Sequence, residues 1–309
     1  MWPILFDSPP GLDLPPVAPY GVMVLIALVL GQLLALELAG RVGIDRGRLG
    51  VASVVAVVVG FIGAKTFYVF ATGNPFSMTG GFAFYGGAVA GGLGLVVACK
   101  AIGLPTLKVL DIGAPVIVLG HALGRLGCFF AGCCHGIPIP HAHPATSLLP
   151  EGMLEGQVLV HPHAPWMSNV FYGGAARFTD VPLYPTQLWL FAGNLCLLGL
   201  LLWLFQRRRF DGQLAALTLL IEPALRATVE AYRGDHRGYA VQWETAGEGL
   251  SAGAEASAAL GGLTSSQGVA LCLMVVGAVL FLVRFRKGVA EEVAVEGAAD
   301  PLLDAMDEP

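Results

Sequence analysis

Arg125 sits in the run Gly120-His121-Ala122-Leu123-Gly124-Arg125-Leu126-Gly127-Cys128-Phe129-Phe130-Ala131-Gly132-Cys133-Cys134-His135-Gly136, where a permanently charged guanidinium closes an otherwise apolar segment. A charge in or beside hydrocarbon is costly unless it is paired or faces water, so an arginine kept there points to a functional site. The planar fork of N–H donors on a guanidinium matches a phosphate or a carboxylate. Gly120, Gly124, Gly127, Gly132 and Gly136 remove side-chain bulk around it. That permits either close helix approach or a concave space that a phosphate head group can enter. The competing reading is a small-residue packing stripe with one arginine reaching for the interface.

A second charged constellation lies in the stretch IEPALRATVEAYRGDHRG, which spaces Glu222, Arg226, Glu230 and Arg233 by four, four and three residues. Side chains at those intervals share one helix face and can pair along it. One reading is structural: the alternating charges neutralise one another so that the helix inserts. The other turns this stripe toward the cavity of Arg125, where it helps to hold an anionic head group. Lys65, Tyr85 with Gly86 and Gly87, and Tyr20 are further candidates to line that space. A tyrosine near a span end is also an ordinary interfacial belt residue.

The elements that must position these groups are membrane helices. Of 309 residues 55% are apolar and only 13% charged, about half the charged share of a soluble domain, and the mean hydropathy is +0.71. The fold expected is all-α, a polytopic membrane protein. A run crossing about 30 Å of hydrocarbon needs roughly 20 mostly apolar residues. Seven stretches qualify: about Pro19 to Ala39, Gly50 to Phe70, Ala83 to Ile102, Ile112 to Phe130, Tyr184 to Phe205, Gln213 to Tyr232 and Gln267 to Phe285. Lys and Arg in the connections divide eleven to three between the two sides. With an odd number of spans this bias puts the N-terminus outside and the C-terminus in the cytoplasm. Net charge of −5 says little about partners. No nucleotide-binding loop or internal repeat is visible, and no nucleic-acid partner is expected.

Three regions are expected: an extracytoplasmic segment 1–18, a transmembrane domain 19–287 and an acidic tail 288–309. The first lacks a charged region followed by a short apolar run and a cleavage site, so it is expected to be retained. The domain includes outer connections at about 134–183 and 234–266. The longer of these is rich in Pro, His and Gly, and connections of such length are commonly functional or folded into an arm. The second reads as an irregular or weakly helical cap. The tail GVAEEVAVEGAADPLLDAMDEP reads as solvated and disordered. Cys99, Cys196 and Cys272 fall within or at the edge of spans as small core residues. Cys128, Cys133 and Cys134 cluster beside Arg125. With His135 and the His-x-His pairs they suit a soft metal or a disulfide, but their spacing matches no defined zinc pattern, and no metal or cofactor is assigned.

These residues together resemble the prolipoprotein diacylglyceryl transferases of bacterial inner membranes. The likeness covers roughly Tyr20 to Phe285. It rests on Gly124-Arg125-Leu126-Gly127-Cys128-Phe129 with Gly132 and Gly136, on Tyr20-Gly21, on Phe84-Tyr85-Gly86-Gly87, on Tyr184-Pro185-Thr186-Gln187-Leu188, and on Arg226, Glu230 and Arg233-Gly234-Asp235. The resemblance implies seven spans in an inner membrane, with phosphatidylglycerol and the lipobox cysteine of a prolipoprotein signal peptide as substrates. It implies that Arg125 and Arg226 hold the phosphate and steady the leaving group, that Tyr85 is the hydrogen-bond donor or base, and that Glu230 orients an arginine. Tyr20, Lys65, Gly86, Gly87, Gly124, Gly127, Cys128, Gly136 and Arg233 would complete the lipid pocket. The chain departs from the family pattern at Tyr85, where a histidine is usual, at Cys128, where an asparagine is usual, and at Cys133, where an acidic residue is usual. The alternative is a repurposed relative, a lipid-, thiol- or metal-binding membrane protein built on Cys128, Cys133, Cys134 and the outer histidines.

Overall fold

The computed structural model describes residues 19–72, 84–134, 136, 184–233, 239–242 and 262–298. Among them are seven helices: α1 Pro19–Arg41, α2 Arg46–Thr72, α3 Phe84–Ala101, α4 Thr106–Ala131, α5 Thr186–Leu204, α6 Gln213–Glu230 and α7 Ser265–Ala298. They occupy the stretches that hydropathy picks out. Five are long and apolar enough to cross a membrane by length and composition: Pro19–Arg41, Arg46–Val69, Thr106–Ala131, Thr186–Leu204 and Ser266–Lys287. Of the other two, α3 offers a shorter apolar stretch, Gly86–Ala101, and α6 carries Glu222, Arg226 and Glu230. Leu25, Leu33, Val54, Ile62, Leu93, Val97, Trp203, Val275 and Leu282 are exposed on the outside of the bundle. Helices that stay apolar on their outward faces are those of a protein solvated by lipid. The chain is a multi-pass membrane protein.

The helices end where the sequence supplies stops. Gly43 after α1 and Gly103 after α3 take left-handed φ of 69° and 71°. The next residues then donate back to the helix, Ile44 N–H to the Ala39 carbonyl at 3.0 Å and Leu104 N–H to the Cys99 carbonyl at 2.8 Å. This is the glycine termination expected where the following chain must reverse.

Two earlier expectations are corrected. The connection before α7, read as an irregular or weakly helical cap, contains a two-stranded antiparallel ribbon, β1 Tyr239–Gln242 with β2 Gly262–Thr264. Tyr, Val and Thr favour the extended state, and short strands of this kind escape a hydropathy window. The tail expected to be disordered from residue 288 instead continues α7 to Ala298. Its Ala and Glu residues favour a helix, and proline appears only at Pro301. Residues 1–18, most of 135–183 and 299–309 lie outside the described residues, as do the expectations that concern them.

Helix α4 is the hub. It packs on α1, α5 and α6, while α2 and α3 pair with each other and α7 lies on α6. At the α2–α3 contact a Cβ on Gly63 or Gly86 would collide with the facing helix, so small residues set that close approach. One apolar cluster gathers Leu38, Leu49, Ile112, Leu201, Phe205 and Leu214. Asp111, fully buried beside this cluster, links α4 to α6. Its carboxylate accepts from the backbone N–H of Gly212 at 2.8 Å, Leu214 at 2.9 Å and Ala215 at 3.1 Å, and Arg208 lies 3.6 Å away. The first turn of α6 has no side-chain cap of its own, because its N-cap is Gly212. A carboxylate from another helix supplies the acceptor and complements the positive end of the helix dipole.

That contact sets the register of two parallel helices. Gly212 lies 101 residues after Asp111, and the same interval separates His121 from Glu222 and Arg125 from Arg226. At 1.5 Å of rise per residue, both arginines stand about 21 Å above the Asp111 contact. Asp111→Ala is expected to lower the thermal stability of the detergent-solubilised protein by roughly 1–2 kcal/mol, the value of a lost helix cap. Asp111→Asn, which keeps an acceptor but loses the charge, should lose less.

Candidate active site

Arg125 and Arg226 are both buried, together with His121, Glu222, Glu230 and Arg233. His121 ties the two helices. Its Nδ1 lies 2.5 Å from Glu222 Oε1, and its Nε2 accepts a hydrogen bond from Arg125 Nε at 3.1 Å. An imidazole that accepts at Nε2 carries its proton on Nδ1, facing the carboxylate. The chain Glu222–His121–Arg125 therefore fixes the guanidinium by its Nε edge, so that an anion is met by the Nη1–Nη2 edge. Arg226 lies within electrostatic reach of both His121 and Glu222, as Arg125 does. Two guanidinium groups thus flank one buried imidazole–carboxylate pair. One carboxylate among two arginines leaves net positive charge around His121.

The far end of the same helices is tied by backbone. Gly136 donates its N–H to the Tyr184 carbonyl at 3.1 Å and forms an antiparallel bridge with Arg233. A Cβ on Gly136 would run into Tyr184, so only glycine fits there. Arg233 Nε stands 3.6 Å from Glu230 Oε2. Tyr184, Trp189 and Tyr232 pack around this junction with centroids 5.4 to 5.6 Å apart, Tyr232 edge to face with each of the other two. The segment after α4, the entry to α5 and the exit of α6 are held together there.

Tyr20 and Gly127 meet. A Cβ on Gly127 would lie 3.0 Å from Met23 and 3.2 Å from the Tyr20 ring, and the Tyr20 hydroxyl is within electrostatic reach of Arg125 and the thiols of Cys128, Cys133 and Cys134. A Cβ on Gly120 or Gly124 would meet nothing within 4 Å, so these positions border open space next to Arg125. Lys65 is placed on α2 with its Nζ 5.5 Å from the Tyr68 ring centroid. Gly86 and Gly87 face Phe67 and Ala64 of α2, which gives them a packing role in the α2–α3 contact. The Tyr85 backbone belongs to the first turn of α3, and its side chain lies outside the described residues. Hydrogen bonding with Cys128, then with Cys134, and burial together hold the Cys133 thiol well above its ordinary range. At neutral pH it is a thiol and a poor nucleophile.

Two comparisons with known proteins bear on this arrangement. The profile of a family described as prolipoprotein diacylglyceryl transferase matches residues 10–283. The chain belongs to the prolipoprotein diacylglyceryl transferase family. Relatives named phosphatidylglycerol–prolipoprotein diacylglyceryl transferase include one from Clostridium tetani, 26% identical over 87% of this chain and 94% of the relative. Another from Finegoldia magna is 29% identical over 70% and 79%, and one from Parasynechococcus marenigrum is 29% identical over 84% and 86%.

The sequence did not bring His121 to the site, nor its pairing with Glu222 and the Asp111 contact that sets the register. Their signal was the repeated interval of 101 residues, which has meaning only once α4 and α6 are known to run side by side. For this family member, His121→Ala and Glu222→Ala should each cost about 1–3 kcal/mol of stability, since each strands a buried polar partner. The double variant should cost little more than either single one, because both remove the same contact. Thermal denaturation of the three variants in detergent measures this.

Proposed function

We propose that this chain transfers the diacylglyceryl group of phosphatidylglycerol to the thiol of a prolipoprotein lipobox cysteine. Family membership supports the reaction class. The observation that carries the reading to particular residues is the matched placement of Arg125 and Arg226 around the buried His121–Glu222 pair. In this reading the phosphodiester of the lipid lies between the two guanidinium groups. The acceptor sulfur attacks the glycerol carbon that bears the phosphate oxygen. A C–S bond forms, the C–O bond breaks, and the electron pair leaves on the phosphate oxygen of glycerol phosphate. The arginines stabilise that charge as it develops, so the leaving group needs no proton. The thiol proton passes to a base, a role the family pattern assigns to the position of Tyr85. A phenol is a weak base at its ordinary pKa of about 10, so Tyr85 acts as base only with a cation beside it and otherwise donates a hydrogen bond to the lipid.

The same reading assigns seven spans with the N-terminus outside and residence in a bacterial inner membrane. The eleven-to-three division of Lys and Arg supports the orientation. Glu230 steadies Arg233 at the chamber mouth, and the open positions at Gly120 and Gly124 leave room for the lipid.

Purified protein in phosphatidylglycerol vesicles should modify a lipobox peptide at its cysteine and release glycerol phosphate. Absence of transfer by well-folded protein would refute the reading. Arg125→Ala should abolish transfer, and near-normal turnover would remove Arg125 from the mechanism. Arg226→Lys should lose most activity, because an ammonium cannot reproduce a two-point grip on phosphate. Unchanged rate in Tyr85→Phe would exclude the phenol from proton transfer.

A further inference from the structure

Three cysteines converge at the C-terminal end of α4. Cys128 lies in the last turn of that helix, one turn beyond Arg125. Gly132 then takes a left-handed φ of 80° and ends the helix, and the Cys133 N–H donates to the Cys128 carbonyl at 3.1 Å. Cys134 is the one non-glycine residue with positive φ, 61°, among the described residues. The first turn of α5 holds this backbone in place. Gln187 Nε2 donates to the Cys133 carbonyl at 2.9 Å and Thr186 Oγ1 to the Cys134 carbonyl at 3.0 Å. The result is three sulfur atoms within 4.8 Å of one another.

We propose that Cys128, Cys133 and Cys134 form a three-thiolate site for a soft monovalent cation of the Cu(I) type. Metal–sulfur bonds of about 2.3 Å place the sulfurs of a trigonal site roughly 4 Å apart, close to the separation the backbone already imposes. Thiolates select soft cations. Among the described residues the site offers three sulfur ligands, a number that suits Cu(I), whereas a structural zinc centre takes four. Binding breaks three S–H bonds, releases three protons and forms three metal–sulfur bonds, so the occupied site carries a net negative charge. Arg125, three residues before Cys128 on the same helix face, supplies compensating positive charge. Simple packing accounts for a buried Cys128. It does not account for a left-handed Cys134 whose neighbours are pinned by α5, since residues in that conformation concentrate at ligand clamps. Cys133 is only partly buried. The site does not depend on the transferase reading.

The test titrates the full-length, reduced protein in detergent, without oxygen, with Cu(I) held by the chromogenic chelator bathocuproine disulfonate. Wild type should withdraw a single equivalent of Cu(I) and gain a thiolate-to-copper charge-transfer band in the near ultraviolet. Cys133→Ser and Cys134→Ser should each bind more weakly by at least the roughly 10–100-fold that even an outer-shell change costs a metal site. The variant with Cys99, Cys196 and Cys272 replaced by serine should bind like wild type. Each variant is first checked for unchanged gel-filtration behaviour, and Cys133→Ala replaces Cys133→Ser if the latter does not fold. Equal uptake by the Cys133 and wild-type proteins, or no uptake by wild type, would overturn the proposal. Preferential uptake of Zn(II) by the same thiols would overturn the choice of ion.

Discussion

The arrangement depends on one carboxylate that binds no substrate. Asp111 accepts three backbone N–H groups from the start of α6, and that contact fixes how far α6 has slid along α4. A slip of one turn would carry Arg226 about 5.4 Å from the level of Arg125 and separate Glu222 from His121. Because Asp111 is fully buried, its charge has no water to fall back on, and losing its donors would be costly. The contact therefore works as a register pin, and helix regularity carries its effect to the chamber some four turns away.

Around His121, the electrostatics follow from how many charges of each sign are brought together. Arg125, Arg226 and Glu222 meet around a histidine that bridges the carboxylate and one guanidinium. Fixing Arg125 through Nε reduces the side-chain entropy lost when an anion binds, since the fork is already oriented. Glycine at 120 and 124 keeps the adjacent face of α4 open. Glycine at 136 lets the chain pass against Tyr184 and Arg233 and closes the far end of the same helices. The Asp111 contact, the His121–Glu222 pair and the Gly136–Arg233 bridge thus lie in order along one pair of parallel helices.

Much of this was legible in the sequence. A guanidinium among glycines in an apolar run singles out Arg125, and the i, i+4, i+8 stripe singles out Arg226 and Glu230, because both patterns are local and costly in lipid. Hydropathy located the helices for the same reason. The pairing of His121 with Glu222 was not legible, since it depends on two helices being parallel and in one register, which no local pattern encodes. Lys65, Gly86 and Gly87 have residue types that suit a lipid pocket, and in the structure Lys65 lies over Tyr68 while the two glycines sit in the α2–α3 contact. The ribbon β1–β2 escaped because its strands are too short for a periodicity to emerge.

The most direct measurement is a double-mutant cycle on the binding of short-chain phosphatidylglycerol to Arg125→Ala, Arg226→Ala and the double variant, followed by tryptophan fluorescence in detergent. If both guanidinium groups grip one phosphate, the free-energy losses will be strongly non-additive, with the double variant binding about as weakly as the weaker single one. Losses that simply add would mean that the two arginines serve separate environments, and would contradict a shared chamber set by Asp111.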